Sequence, residues 1–398
     1  MRSALAPLLL VALLVALLGP AAGGAEAPAD ESRFLSRVRR LTFDGRRAGE
    51  GYFSQDGRRL VFQSEREPGN PFFQIYVLDL ESGETRRVSP GTGKTTCAFF
   101  RPGTGDVLFA STHHDPRSAQ LQEAELAARA EGREKRYGWD YDPEMEIWLA
   151  DGDTGALTRL TRARGYDAEA SWSPDGRWIV VASNRAAYEA LLSPDEARRL
   201  EADPAFFADL YLLRPDGSVE RRLTDVPGYD GGPFFFADGS RIVWRRFEED
   251  GLIADVYTMR PDGTDDRRLT DFRSMSWAPY PHPTGEYVIF ASNRHGFGNF
   301  ELFLVDAAGS REPVRVTTTD GFDGLPVFSP DGGTLSWTSN RETDDGQVFL
   351  ARWDHAAALS ALAAAPPRGS GPAPAGAAPA APGEPSPSPR PTADPEPP

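Results

Sequence analysis

The stretch YDAEASWSPDGRWIVVASNR, residues 166–185, decides the fold, because a close copy returns as FDGLPVFSPDGGTLSWTSNR at 322–341. Each copy holds an aspartate, an alternating run, an aromatic Ser-Pro-Asp-Gly turn, an apolar run and a closing Ser-Asn-Arg. In the turn, proline presets φ, aspartate bonds its own backbone and glycine takes the positive φ. The flanking runs alternate with period two and are rich in Val, Ile, Phe, Tyr and Trp, the pattern of half-buried strands. Four looser versions of the turn complete the series: FSQDG at 53–57, FRPGTG at 100–105, FFADG at 235–239 and PHPTG at 281–285. After each turn and its apolar run comes a second strand-like run, such as QIYVLD at 74–79 or ELFLVD at 301–306. Most units then end on a short run of the RRLT type.

Each unit makes four short antiparallel strands. One such sheet leaves an apolar face open, whereas sheets stacked around an axis cover one another. The fold class is therefore all-β, a six-bladed propeller over residues 33–355, with units near 45–89, 90–161, 162–224, 225–270, 271–317 and 318–353. The sixth unit stops at VFLARWD, one strand short. The missing RRLT-type strand lies at the other end, in SRVRRLTFD at 36–44. The N-terminal strand is thus expected to close the ring, leaving no sheet edge open.

Both flanks read as non-core. Residues 1–27 combine Arg2, the apolar run LLLVALLVALL and small residues suited to cleavage. They read as a secretory signal peptide, which places the mature protein in the periplasm or outside the cell with no membrane span. Residues 356–398 are Ala/Pro-rich and read as a disordered tail. The net charge of −16 makes nucleic acid and anionic membranes poor partners. Cys97 is the only cysteine, so no intrachain disulfide forms.

The repeated Pro-Asp-Gly turns, the RRLT runs and the IYVLD-like runs resemble the WD40-like repeats of TolB-like propellers. The resemblance covers residues 36–353. It implies the propeller fold and an exported stand-alone member without the separate N-terminal α/β domain of TolB itself. It also implies envelope or periplasmic protein partners. Related propellers form non-catalytic domains of peptidases, and some propeller lyases act on pectic fragments through a histidine-bound metal. A metal-dependent carbohydrate lyase or hydrolase is therefore the alternative to a non-catalytic binding module, and carbohydrate stays open as a ligand.

Innermost propeller strands line the central channel, and the connection into each strand sits at its mouth. Aligning the units on their turns makes Ala48, Thr95, Asp167, Asp230, Ser276 and Asp323 equivalent. Two residues on stand Glu50, Cys97, Glu169, Gly232, Ala278 and Leu325. Asp167, Asp230, Asp323, Glu50 and Glu169 would then crowd one rim, where Ca2+ or a basic ligand could offset their repulsion. The other reading is that each aspartate caps its own turn. Trp277 and Tyr280 offer a sugar or peptide platform, or fill gaps between blades. The motifs demand no cofactor, and the five histidines leave metal binding open. No Gly-X-Ser-X-Gly, phosphate loop or His-Glu-X-X-His motif is present. Helical insertions at 114–143 and 186–207 leave adjacent units from the same strand connection, on one side of the ring, where they could roof a groove. The Ser-Asn-Arg arginines could bind anions or play a structural role, such as pairing with acidic groups of a neighbouring blade.

Overall fold

The computed structural model describes residues 30–133 and 141–369. The expected signal peptide and most of the tail lie outside these residues. Among the described residues six four-stranded antiparallel sheets are present, and five of them run outward in sequence order from an innermost strand. The innermost strands are Arg47–Phe53, Thr95–Phe100, Asp167–Trp172, Asp230–Phe235, Ser276–Pro281 and Asp323–Phe328. Leu35–Arg40 pairs with Gln347–Trp353 and completes blade six, so the N-terminal strand closes the ring.

The repeats record a bonding scheme. In every blade the outermost run ends in a Thr or Ser whose hydroxyl accepts from a backbone N–H of the third strand, as Thr161 does from Ile147 and Thr270 from Val256, at 2.9 and 3.0 Å. In blades two to five the arginine two residues earlier reaches the acid that opens the third strand. Arg159 meets Glu146, Arg222 meets Asp209, Arg268 meets Asp255 and Arg315 meets Glu301. This is the physical content of the RRLT run. Blade six obeys it across the chain ends: Thr42 accepts from Val348 N at 2.9 Å and donates to Gln347 at 2.7 Å. Glu31 adds a stitch, accepting from Thr318 N and pairing with Arg341.

Strand direction sorts the connections onto two faces. The first-to-second and third-to-fourth turns share one face, closed by aspartates such as Asp175 and Asp216, which cap their own turns. The second-to-third connections and the links between blades share the other, here called the loop face. Both insertions leave from it. Helix α1 (Ser118–Ala130) leans back over blade one, where Arg129 meets Glu65 and the Pro71 carbonyl. After a short helix α2 (Arg185–Glu189), helix α3 (Pro194–Ala202) leans the other way, and Arg199 donates to the Glu249 carbonyl of blade four. The two described helices thus lean in opposite directions around the ring, while Tyr141, at the end of the first insertion, packs against Tyr166 and Tyr229.

The tail departs from its reading. His355–Ala364 is a helix, α4, with Asp354 as N-cap, and it buries Ala358, Ala361 and Leu362 against blades five and six. The chain then follows blade five, where Arg311 donates to the Ala365 carbonyl. Alanine and leucine are strong helix formers, and the blade wall supplies the apolar surface that makes so short a helix stable. Residues 370–398 of the expected tail lie outside the described residues.

Candidate functional site

Each innermost strand carries a bulge at one equivalent position, where the pairing register shifts by a residue. The six bulge residues are Glu50, Cys97, Glu169, Gly232, Ala278 and Leu325, all left-handed with φ between 50° and 59°. A bulge re-aims its side chain, and here it points a ring of six residues at the channel axis. The sequence alignment of these positions is reproduced by the geometry.

The expected aspartate rim is not. Asp167, Asp230 and Asp323 are fully buried two residues before the bulge, and each is closed by an arginine of its own blade. Asp167 meets Arg185 at 2.6 Å and accepts from Ser183, while Asn184 holds the incoming chain through Tyr166 N. Asp323 meets Arg341 at 2.8 Å and the Trp337 indole at 3.0 Å. Asp230 meets Arg246 at 2.8 Å and the Trp244 indole at 2.9 Å. Burial raises the pKa of all three carboxyls, and the arginines oppose it. In blades three and six the Ser-Asn-Arg arginine is therefore a clamp that holds the first strand to the second within its own blade, and in blade four Arg246 of RIVWRRF does the same. Blade five is the natural control: Ser276 replaces the aspartate, and Arg294 turns onto Phe272 instead.

The structure does bring Glu50 and Glu169 to the channel, joined by Arg245, which sequence reasoning missed. Arg245 Nη2 donates to both Glu169 oxygens, at 2.9 and 3.1 Å, and to the Tyr229 hydroxyl at 2.8 Å. Tyr229 in turn donates to Glu169, as does Gly232 N at 2.5 Å. Gly232 makes this possible, because a Cβ there would overlap the Arg245 guanidinium. A signal existed: blade four reads RIVWRR, with Arg245 where the paired positions of blades two, three and five hold Ala110, Ala182 and Ala291. Glu50 accepts from Tyr52 at 3.1 Å, and its second oxygen is buried without a partner. Burial and the neighbouring Glu169 raise its pKa to about 7. Burial also pushes the Cys97 thiol well up.

Below the ring the channel is filled. Tyr52, Phe99, Phe234 and Tyr280 pack with centroids 5.1 to 6.3 Å apart. Tyr280 belongs to this plug, and half-buried Trp277 packs against Phe300 and Phe322. Between the ring and the plug lies a partly open cavity of about 30 Å³, room for roughly two waters, lined by Glu50, Cys97, Glu169, Arg245 and Tyr280. Among the described residues, no three His, Cys, Asp or Glu side chains gather as a metal-holding group. His113 and His114 lie 6.3 Å apart at near right angles, flanking Trp148.

The loop face differs from the channel. Eight large apolar side chains are exposed among the described residues, and six lie on this face: Phe43, Leu126, Leu191, Val226, Leu252 and Phe297. Val38 and Val219 lie on outermost strands. No described helix is long and apolar enough to cross a membrane.

No protein-family model matches the chain. A protein TolB homolog of Chlorobium luteolum is 29% identical over 122 residues, 25% of this chain and 28% of that protein. Curated relatives are matched over only 18 to 34% of their own length. A TolB-type structure from Agrobacterium tumefaciens superposes with a TM-score of 0.50 at 20% identity, over 77% of this chain and 90% of that one. An oligogalacturonate lyase from Vibrio parahaemolyticus gives 0.48 at 14% identity, over 80% and 94%. At these identities the likeness is one of fold alone.

Proposed function

We propose that this TolB-like six-bladed propeller is a non-catalytic protein-binding module of the periplasm or cell envelope, and that it engages its partner on the loop face. One observation carries the reading: exposed large apolar side chains concentrate on that face, while the channel beneath is plugged by aromatics. Exposed apolar groups gathered on one face are characteristic of protein-binding surfaces. The buried clamps at Asp167, Asp230 and Asp323 are framework, which moves the contact outward from the channel mouth to the loops around it. The TolB likeness and the apolar leader support an envelope location.

The test is capture from an envelope extract of the source organism. The baits are the native chain, a loop-face variant (Leu191→Ser, Leu252→Ser, Phe297→Ser) and a side variant (Val219→Ser). The reading expects one protein held by the native and side baits and lost from the loop-face bait. Equal capture by all three, or none by the native bait, overturns it.

A further inference from the structure

Blade three's insertion and blade four's loop join into one shelf. Helix α3 has no buried residue of its own. It is held by its caps and by Arg199, which lies 4.2 Å over the Phe206 ring and donates to the Glu249 carbonyl at 2.6 Å. Ser193 and Glu196 form a full capping box at its start. The link into blade four joins in, since Gly228 N donates to the Phe206 carbonyl. Three of the exposed apolar side chains stand on these segments: Leu191, Val226 and Leu252, the first fully exposed and Leu252 at 61%.

The charge around them is predominantly acidic. Residues 186–203, 225–227 and 248–252 hold nine acidic side chains against two arginines. Both arginines are already taken, Arg198 by Asp195 and Arg199 by Asp203. No ion pair among the described residues engages Glu189, Glu201, Asp225, Glu248, Glu249 or Asp250. Apolar side chains set in a predominantly acidic field complement a partner that is cationic with apolar tips. An anionic or neutral partner would leave the field unopposed.

We propose that this shelf between blades three and four is the docking site for a lysine- or arginine-rich protein segment bearing apolar anchors. The assignment rests on the loop-face reading and adds the place and the partner's chemistry. Apolar contact would supply the anchoring, and the carboxylates would supply steering and discrimination against acidic partners.

The probe is a fluorescein-labelled peptide of leucine and lysine at helical spacing, titrated with the full chain at 0.15 M salt and read by anisotropy. Two comparison peptides replace all leucines by serine or all lysines by glutamate. Two shelf variants are used: Glu248→Lys/Glu249→Lys/Asp250→Lys and, separately, Leu191→Ser/Leu252→Ser. A control with the same change in charge, Glu81→Lys/Glu84→Lys/Asp153→Lys, sits on the opposite face. Each shelf variant should weaken binding by about tenfold or more, and the control by no more than about threefold. The serine peptide should bind about tenfold more weakly than the leucine-lysine peptide, and the glutamate peptide weakest of all. Equal weakening by the control, or undiminished binding to the leucine variant, overturns the assignment. Loss of envelope-partner capture with Phe297→Ser alone, the shelf variants retaining it, would also overturn it while leaving the loop-face reading intact.

Discussion

Replacing Gly232 by alanine tests the architecture of the channel ring. Two costs follow from the geometry. The left-handed backbone, φ 59° at Gly232, costs an alanine roughly 1–2 kcal/mol, and Ala278 already carries that strain at φ 50° in blade five. The second cost is specific. The new methyl group would occupy the Arg245 guanidinium, which is 5% exposed and bonded to both oxygens of Glu169. Expelling it leaves a buried carboxylate without its cation, which costs about 3–5 kcal/mol. Gly232→Ala should therefore lower stability by about 5 kcal/mol in total. The assay is urea unfolding followed by tryptophan fluorescence. The same substitution is then made in a Glu169→Gln/Arg245→Ala background, where only the backbone cost of roughly 1–2 kcal/mol should remain. The reasoning is refuted if the cost is equal in the two backgrounds, or stays below about 2 kcal/mol in the native one.

Two further outcomes are expected. The Glu50 pKa is raised to about 7 in the fold from the ordinary 4.5, so between those values the folded chain holds a proton that the unfolded chain has released. Stability is then greatest below the lower value and falls as pH rises to the upper one, by about 3 kcal/mol from this residue. Glu50→Gln removes that component and should be more stable than the native chain at pH 8 but not at pH 4.5. Asp209, also raised to about 7, is common to both proteins and cancels in the comparison; parallel pH profiles would sink the assignment. Leu362→Ala should cost about 2–3 kcal/mol by opening a cavity between α4 and blades five and six, seen as a lower unfolding midpoint; an unchanged midpoint would mean that α4 does not contribute to the core.

The propeller was legible because its information is local and repeated. A Pro-Asp-Gly turn and two alternating runs specify a hairpin within about 20 residues, and six copies make the count secure. The bulge ring was also legible by alignment, although no single copy reveals a left-handed residue where Glu50 or Leu325 stands. What escaped was pairing between segments. Asp167 and Arg185 sit 18 positions apart in the sequence and meet only because a hairpin folds them back, so the aspartates read either as rim ligands or as caps of their own turns, and neither reading named the arginine. Arg245 escaped because its reach depends on the missing side chain of Gly232 on the neighbouring strand. The helix α4 escaped because its composition matches a solvated Ala-rich tail, and only the blade wall makes burial of Leu362 available. Asp354, three residues before Ala357, was the readable sign of its start.

The closing strand sets a rule for when this protein can finish folding. Leu35–Arg40 is among the first described segments, yet its partner Gln347–Trp353 lies more than 300 positions further along. A chain emerging from its N-terminus must carry that strand unpaired until nearly everything else exists. During the wait it is a loose adhesive edge, open to the wrong neighbour in its own chain or in another molecule. Its sequence, LSRVRR, carries three arginines, and Arg37, Arg39 and Arg40 repel a second copy of the same strand and resist burial in a mismatched sheet. The charged clasp that locks the finished ring is thus also the guard that keeps it from fastening early.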